Sequence, residues 1–221
     1  TKTLKWDNMI TSHAGQAVAK TWRLDRKTIG EHSLEVTDKT PITHTSMSAC
    51  GNFALLSTTG GKVDIFNVQS GLKRRSLPVS ESSRVISAFT DATASLVIAV
   101  CEDGVVKQFS FSTGKQTGIL DLSQIAGRIT KAAINRDTEL LAVAGSDSNV
   151  IQVVDYSAMQ VVRIFNGHSG AVTGMTLGRV NACQMPIISR KTINDSAGAR
   201  QLNRVFISSS STSGVQPVTF S

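Results

Sequence analysis

The stretch STTGGKV, residues 57–63, is the part of this sequence that comes nearest to a phosphate-binding loop. Its Gly60-Gly61-Lys62 triplet resembles the end of the glycine-rich loop in which backbone amides hold nucleotide phosphates. The full pattern is G-x-x-x-x-G-K followed by serine or threonine. It therefore also needs a glycine at position 56 and a serine or threonine at position 63. Leu56 and Val63 occupy those two positions here. We therefore interpret the stretch as a β-turn between two strands.

Residues capable of acid-base or metal chemistry are scattered along the chain. His168 has the side chain of a general base, but it belongs to a Gly-His pair for which a structural role is the stronger interpretation. Glu102 and Asp103 are adjacent carboxylates in a turn, which favours contact with solvent. The other histidines, which lack the spacing of metal ligands, are His13, His32 and His44. The sequence predicts no catalytic, cofactor-binding or metal-binding residue, so we expect no cofactor and no enzymatic activity.

Composition and charge narrow the class of protein. The net charge is +7 and the pI is about 9.6, which favours attraction to phosphate-rich partners without proving it. Three well-separated cysteines, at positions 50, 101 and 183, predict buried thiols in a reducing compartment. The longest apolar run, ASLVIAV at 94–100, is far shorter than the ~20 residues of a membrane span. The first residues lack a secretory signal, and Thr1 indicates a piece of a longer protein.

A strand-turn-strand unit recurs along the whole chain. Copies occupy residues 10–25, 49–71, 94–114, 139–159 and 203–221. The residue six places after each turn is taken as an anchor, which gives Trp22, Phe66, Phe109, Val154 and Thr219. We expect Trp22, Phe66 and Phe109 to lie on third strands and to be buried between blades. These anchors are 44, 43, 45 and 65 residues apart. A period of about 40–45 residues with four short strands per unit is typical of WD-type β-propellers.

Each unit also has a strand upstream and an outer strand downstream of its anchor. Upstream strands are predicted at 42–48, 84–90, 128–134 and 171–177, and outer strands at 73–79 and 160–166. We therefore predict an all-β, WD40-type β-propeller over residues 1–221, with about five blades of a ring that we expect to have seven. Three blades are complete, at about 38–80, 81–123 and 124–166. The blade before them lacks its first strand, and the blade after them lacks its last.

The 65-residue spacing indicates an insertion, which we place at 178–204. It is basic, because it contains Arg179, Arg190, Lys191, Arg200 and Arg204 against a single acidic residue, Asp195. A long connection without structure of its own is usually functional or disordered. Contact with a partner and simple exposure to solvent both remain open for this segment.

Basic residues also cluster at the third-to-fourth-strand turns of two adjacent blades. The first cluster is Arg23, Arg26 and Lys27, and the second is Lys73, Arg74 and Arg75. Such turns lie on the same face of a propeller, so the two clusters predict a basic patch. No aromatic residue is interleaved in the sequence, which argues against a stacking platform for single strands. We predict contacts with RNA phosphates or acidic partner segments by these six residues and by Arg190, Lys191, Arg200 and Arg204 of the insertion.

Several motifs resemble one particular family. The chain has CGNF at 50–53, N-x-QSG at 67–71, and an Arg-Asp pair at 136–137 followed by LLAVA at 140–144. Over most of residues 6–175 it resembles the second propeller of the tandem WD-repeat subunit of the UTP-B complex. That subunit belongs to the small-subunit processome, the nucleolar assembly built around U3 small nucleolar RNA and pre-rRNA.

The resemblance implies a non-catalytic scaffold in the nucleolus. It implies partners among the other UTP-B subunits and processome proteins, with U3 RNA and pre-rRNA nearby, and a contribution to 18S rRNA maturation and 40S subunit biogenesis. It implies no membrane, no small-molecule substrate and no catalytic residue. A different WD-repeat adaptor, such as a ubiquitin-ligase substrate receptor, is the first alternative. The second, a metal-dependent propeller lactonase, requires convergent acids, asparagines or histidines from several blades, and we find none at repeated positions.

Overall fold

The computed structural model describes residues 6–146, 149–168, 170 and 172–178, and these form a row of antiparallel sheets. The first sheet, blade 1, has three strands, β1 (Met9–Ser12), β2 (Val18–Arg23) and β3 (Thr28–Glu35). Blade 2 has four, β4 (Ile42–Met47), β5 (Phe53–Thr58), β6 (Lys62–Asn67) and β7 (Lys73–Pro78).

The next two sheets also have four strands each. Blade 3 contains β8 (Val85–Thr90), β9 (Leu96–Cys101), β10 (Val105–Ser110) and β11 (Gln116–Asp121). A one-turn helix, α1 (Ser123–Ala126), connects it to blade 4. Blade 4 contains β12 (Ile129–Asn135), β13 (Leu140–Gly145), β14 (Ile151–Asp155) and β15 (Gln160–Phe165). Each strand pairs with the next one along the chain, so every blade is a simple meander. The predicted all-β propeller architecture is confirmed.

The second strands of blades 2, 3 and 4 are buried almost throughout, because their two faces are covered by neighbouring parts of the chain. All six residues of β13, LLAVAG, are buried, and β9 is buried except for its first residue. The outer strands differ, since β11 is exposed at every second residue. Continuous apolar runs are typical of strands covered on both sides, and alternation is typical of strands with one wet face.

Three apolar cores lie between successive blades. The core between blades 1 and 2 includes Leu34 and Phe66, and the core between blades 2 and 3 includes Ile65 and Phe109. The core between blades 3 and 4 includes Val154. The predicted anchors of blades 2, 3 and 4 therefore lie on third strands and are buried between blades. Stability is distributed along these cores, because the apolar contacts of each blade are with its neighbours.

Trp22, the anchor of blade 1, differs from the other anchors. It lies on β2 as predicted but is only half-buried, and its Nε1 donates a hydrogen bond to Thr11 Oγ1 at 2.7 Å. Phe66 and Phe109 are each covered by the blade that precedes their own. Trp22 faces the corresponding direction, and no blade precedes blade 1 among the described residues. The expected burial of Trp22 is therefore not met within the described part of the chain.

Residues 172–178 follow the far face of blade 4. Val172 is buried against Ala142 and Val153, and Asn135 Nδ2 donates to the Gly178 carbonyl at 2.9 Å. The segment occupies the place of the next blade's first strand, but it is irregular chain and not the strand predicted at 171–177. A strand is defined by its ladder, and no described strand pairs with this segment. The predicted unit at 203–221 and residues 179–204 of the insertion lie outside the described residues.

Candidate functional site

The turns between the last two strands of each of the four blades form one edge of the array, here called the turn edge. It consists of residues 24–27, 68–72, 111–115 and 156–159. At the same point of each turn the backbone enters the left-handed region, with φ of 53° at Lys27, 68° at Gly71, 74° at Gly114 and 51° at Met159. Glycine adopts this conformation without strain, which explains two of the four positions. These four residues occupy equivalent positions, so they align the turns of the four blades residue by residue.

A side chain from each blade binds the turn of the next blade. His32 Nε2 lies 3.1 Å from the Gln69 carbonyl, and Gln108 Nε2 donates to the Tyr156 carbonyl at 2.9 Å. Arg75 makes the corresponding contact between blades 2 and 3 with both terminal nitrogens of its guanidinium. These three contacts are here called the interblade clasps. The same task is thus performed by histidine, arginine and glutamine in turn.

Arg75 is the strongest of the three clasps. Its Nη1 donates to the Thr113 carbonyl at 2.9 Å and its Nη2 to the Ser112 carbonyl at 2.7 Å. Gly114 leaves room for this side chain, since a Cβ there would lie 2.9 Å from Arg75 Cδ. A guanidinium suits the task because its planar fork donates two parallel hydrogen bonds. The contacts favour a structural role for this member of the predicted site.

Two other predicted contact residues are also engaged within the protein. Lys73 Nζ donates to Thr37 Oγ1 at 2.8 Å, and that hydroxyl donates in turn to the buried carboxylate of Asp64. Arg23 is largely buried, with 15% of its side chain exposed, and its Nε lies 3.9 Å from Asp25 Oδ1. The charged groups of Lys73 and Arg23 are therefore less available to a partner than those of basic residues that make no such contact.

The remaining members of the predicted patch are exposed on the turn edge. Arg26, Lys27 and Arg74 all face solvent. Lys115, at the end of the blade 3 turn, is exposed as well and extends the basic surface to a third blade. Sequence reasoning missed Lys115, although the matched turns would have pointed to it. We refer to Arg26, Lys27, Arg74 and Lys115 as the basic ridge.

Arg74 also has aromatic neighbours that the sequence did not indicate. Its guanidinium carbon lies 5.4 Å from the centre of the Phe53 ring and 5.9 Å from that of Phe111. The two rings contact each other at 4.8 Å between centres. Phe53 begins the second strand of blade 2 and Phe111 lies in the turn of blade 3, so the three side chains meet only in the folded array.

The opposite edge of the blades has a balanced charge cluster. Arg84 Nη2 lies 2.6 Å from Glu102 Oε1, and Arg128 donates to the same oxygen through Nε at 3.1 Å and through Nη2. Partial burial acts to raise the pKa of Glu102, but the hydrogen bonds and charges of the two arginines outweigh it and hold that pKa below its usual value. An open cleft of about 350 Å³ adjoins this cluster and also includes Asp103. The cluster connects blades 3 and 4, and both of its arginines are paired with Glu102, beside a second carboxylate at Asp103.

The described residues form no recognisable catalytic or metal centre. No group of three histidine, cysteine or carboxylate side chains within them is placed to hold a metal ion. A cleft of about 210 Å³ between blades 1 and 2 is lined by Asp7, Glu31 and His32, among others. Asp7 Oδ2 accepts hydrogen bonds from Thr21 Oγ1 at 2.6 Å and from the Glu31 amide at 2.9 Å. Asp7 thus connects parts of blade 1 to each other, and His32 joins blade 1 to blade 2 through its clasp.

Burial displaces the pKa values of His44 and Cys101 in opposite directions. Burial lowers the pKa of His44 to about 4, where its ring contacts Phe89 edge-on at 5.1 Å between centres. Burial, with the charge of Asp103, raises the pKa of the Cys101 thiol to about 12. Both groups are uncharged near neutral pH and pack as core residues. In the described part of the chain, no helix has the length and apolar character needed to cross a membrane.

Four predicted contact residues cannot be placed in this description. Arg190, Lys191, Arg200 and Arg204 of the insertion lie outside the described residues. His168, for which a structural role is the stronger interpretation, is half-buried at the end of blade 4.

Comparison with known proteins agrees with the blade architecture. Residues 1–181 match the model of the WDR36/Utp21 second beta-propeller domain. The chain belongs to this family. It is 34% identical over 170 residues to "U3 small nucleolar RNA-associated protein 21 homolog" of Schizosaccharomyces pombe, covering 76% of this chain and 18% of that protein. It is 30% identical over 169 residues to "U3 small nucleolar RNA-associated protein 21" of Saccharomyces cerevisiae, with the same coverage of 76% and 18%.

A human relative and a solved structure extend the comparison. "WD repeat-containing protein 36" of Homo sapiens is 29% identical over 176 residues, which cover 77% of this chain and 19% of that protein. The chain thus spans about a fifth of the length of the curated relatives it matches. A chain of the "Crystal Structure of Mitotic Checkpoint Complex" superimposes with a TM-score of 0.65 at 22% identity, over 77% of this chain and 51% of that one. At this identity the superposition supports the fold alone.

Proposed function

We propose that this propeller is part of a non-catalytic scaffold of the nucleolar small-subunit processome, within the UTP-B complex. The observation that carries the proposal is the family match over residues 1–181, with two relatives named for association with U3 small nucleolar RNA. The scaffold would support U3-dependent processing of pre-rRNA and the production of the 18S rRNA and the 40S subunit. Its partners would be other UTP-B subunits and processome proteins.

The structure supports a scaffold role through the way its blades are joined. Each junction combines an apolar core with an interblade clasp, so neighbouring blades are held at a defined angle. A rigid array of this kind presents several surfaces in a fixed relation to each other, which is what an assembly platform requires. The described side chains offer polar contacts and charge, and no arrangement of a nucleophile with a base.

The basic ridge is the surface that we propose for contact with U3 RNA or pre-rRNA. The stretches 23–27, 68–75 and 111–115 contain one acidic residue, Asp25, among their basic residues. Phosphate contacts depend on such unpaired positive charge and weaken steeply with salt, because each neutralised phosphate releases counterions. The basic residues of the insertion named above remain proposed contacts of the same kind.

Affinity purification of the intact protein tests this function. We expect U3 small nucleolar RNA and UTP-B subunits to co-purify with it, and its location to be nucleolar. Ubiquitin-ligase subunits in place of U3 RNA would contradict the proposal and favour the other kind of WD-repeat adaptor.

A paired variant separates the basic ridge from general charge effects. Arg26→Glu with Lys27→Glu is expected to reduce U3 RNA recovery and to weaken RNA binding most at low salt. Its affinity should fall less steeply with salt than that of the parent, because fewer phosphates are neutralised. Lys39→Glu with Lys131→Glu makes the same change in net charge at exposed lysines away from the turn edge. Equal recovery with both variants would contradict a role for the ridge.

A further inference from the structure

Arg74 differs from its two basic neighbours in what its charged group does. Lys73 donates to Thr37 and Arg75 clasps the next blade, so both are occupied within the protein. Arg74 makes no hydrogen bond and no ion pair within the described residues, and it is exposed. Its only described contacts are with the rings of Phe53 and Phe111. It is therefore a positioned arginine with its donors available.

The two rings fix where the guanidinium lies. A cation within about 6 Å of a ring centre is attracted by the negative face of the ring. Arg74 is within this range of both rings, and the rings are held by contact with each other and by burial of Phe111. Because the Arg74 side chain is already held in place, it loses less conformational entropy when a partner binds. Arg74 is nevertheless exposed, so its guanidinium remains accessible to a partner.

The charges around Arg74 favour a ligand with repeated negative charge. Lys115 is exposed in the blade 3 turn that Arg75 clasps, on the same edge. The carboxylate of Asp91, which lies in a neighbouring turn, accepts hydrogen bonds from Thr93 and Ser95 side chains and from backbone amides, so it is engaged in its own turn. Basic donors are thus available here without a competing free carboxylate among these residues.

We propose that Arg74 stacks an unpaired RNA base on its exposed face, while Lys115 and the in-plane donors of Arg74 bind the flanking phosphates. Unpaired bases stack on aromatic rings and on arginine planes in RNA recognition. A carboxylate of an acidic peptide would bind the in-plane donors of Arg74 but would leave the flat face of the guanidinium unused, so the arrangement favours RNA. The inference rests on the proposed function of the basic ridge and names the form of RNA that it binds.

Binding by the intact protein to two short RNAs tests the inference. One is an unpaired oligonucleotide of mixed sequence, and the other has the same backbone with its central bases removed. We expect the protein to prefer the normal RNA by on the order of tenfold, as for a single stacked base. Arg74→Lys keeps the charge but loses the plane, so it should bind both RNAs equally. Arg74→Ala should show the same loss of preference with weaker binding overall.

The control is Arg163→Lys, which changes an exposed arginine lying 5.5 Å from a single ring, that of Phe165. It should keep the preference for the normal RNA. If the protein binds both RNAs equally and Arg74→Lys changes nothing, the stacking inference is wrong while the basic ridge still binds phosphates. If neither RNA binds but an acidic peptide does, both the inference and the proposed RNA contact of the ridge are wrong.

Discussion

Replacing Arg75 with alanine should loosen the join between blades 2 and 3 at the turn edge. The substitution removes two hydrogen bonds from a charged donor to backbone carbonyls, at 2.9 and 2.7 Å. A hydrogen bond from a charged group contributes about 1.5–3 kcal/mol and a neutral one about half of that. Because Arg75 is only half-buried, water can replace part of both bonds. We therefore expect a total loss of about 1–3 kcal/mol in the local free energy of opening.

Hydrogen-deuterium exchange of peptides covering 110–118 measures this opening. The Gly114 amide donates to the Ser110 carbonyl and the Ser110 amide to the Lys115 carbonyl, both at 2.8 Å, so both amides report on the turn. The expected loss corresponds to exchange about fivefold to a hundredfold faster. Arg75→Lys should fall between the two proteins, because one ammonium cannot reproduce the fork.

Arg163→Ala is the matched control, since Arg163 occupies the equivalent position of blade 4. It should leave exchange at 110–118 unchanged. Exchange in the Arg75→Ala protein at the parent rate would refute the clasp, and Arg75 would then belong with the exposed members of the basic ridge.

Three further predictions concern stability. Phe66→Ala empties part of the core between blades 1 and 2 and should cost about 3–5 kcal/mol, measured by chemical denaturation. Arg136→Met removes hydrogen bonds to the carbonyls of Thr90 at 2.8 Å and Met47 at 2.9 Å, so exchange should rise at the inner strands of blades 2 and 3. The folded pKa of Glu102 lies below its ordinary value of 4.5, so its stabilisation is present above that pH and is lost as the pH falls through the folded pKa. Glu102→Gln should therefore lower the melting temperature slightly near neutral pH and not in strong acid, and an equal effect at both would refute this.

The strands were predictable because they depend on local pattern. The inner strand predicted at 84–90 is found at Val85–Thr90, and the outer strand predicted at 160–166 is found at Gln160–Phe165. Their apolar runs and the turns that separate them recur with a constant period, and that period identifies the repeat without any distant contact. The burial of Phe66 and Phe109 followed from the same matching of repeats.

The roles of the basic residues were not predictable in the same way. Arg75 binds a turn 38 residues further along the chain, and Lys73 reaches Thr37, 36 residues back. The clasp residue changes type from blade to blade, so no repeated letter indicates the position. The rings beneath Arg74 come from two different blades, which is why sequence reasoning found no aromatic neighbours for it.

Trp22 shows a second limit of the repeat pattern. Its position in the repeat predicts burial, but the burial of an anchor requires a preceding blade to cover it. No such blade is present among the described residues, and the sequence of blade 1 alone does not indicate this. The irregular path of residues 172–178 has the same origin, since a strand needs a paired neighbour as well as a suitable sequence.

The most direct test of RNA contact by the basic ridge is ultraviolet crosslinking in assembled pre-ribosomal particles. The intact protein is used, and the crosslinked peptides are identified. We expect crosslinks to U3 RNA or pre-rRNA in peptides that cover residues 24–27 of blade 1 and 72–75 of blade 2. We expect few or none at the opposite edge, around Arg84, Glu102, Asp103 and Arg128, where two positive and two negative charges lie together. The RNA contact of the basic ridge would be contradicted by crosslinks confined to that opposite edge. It would also be contradicted by a particle that contains the protein but shows no crosslink at the turn edge.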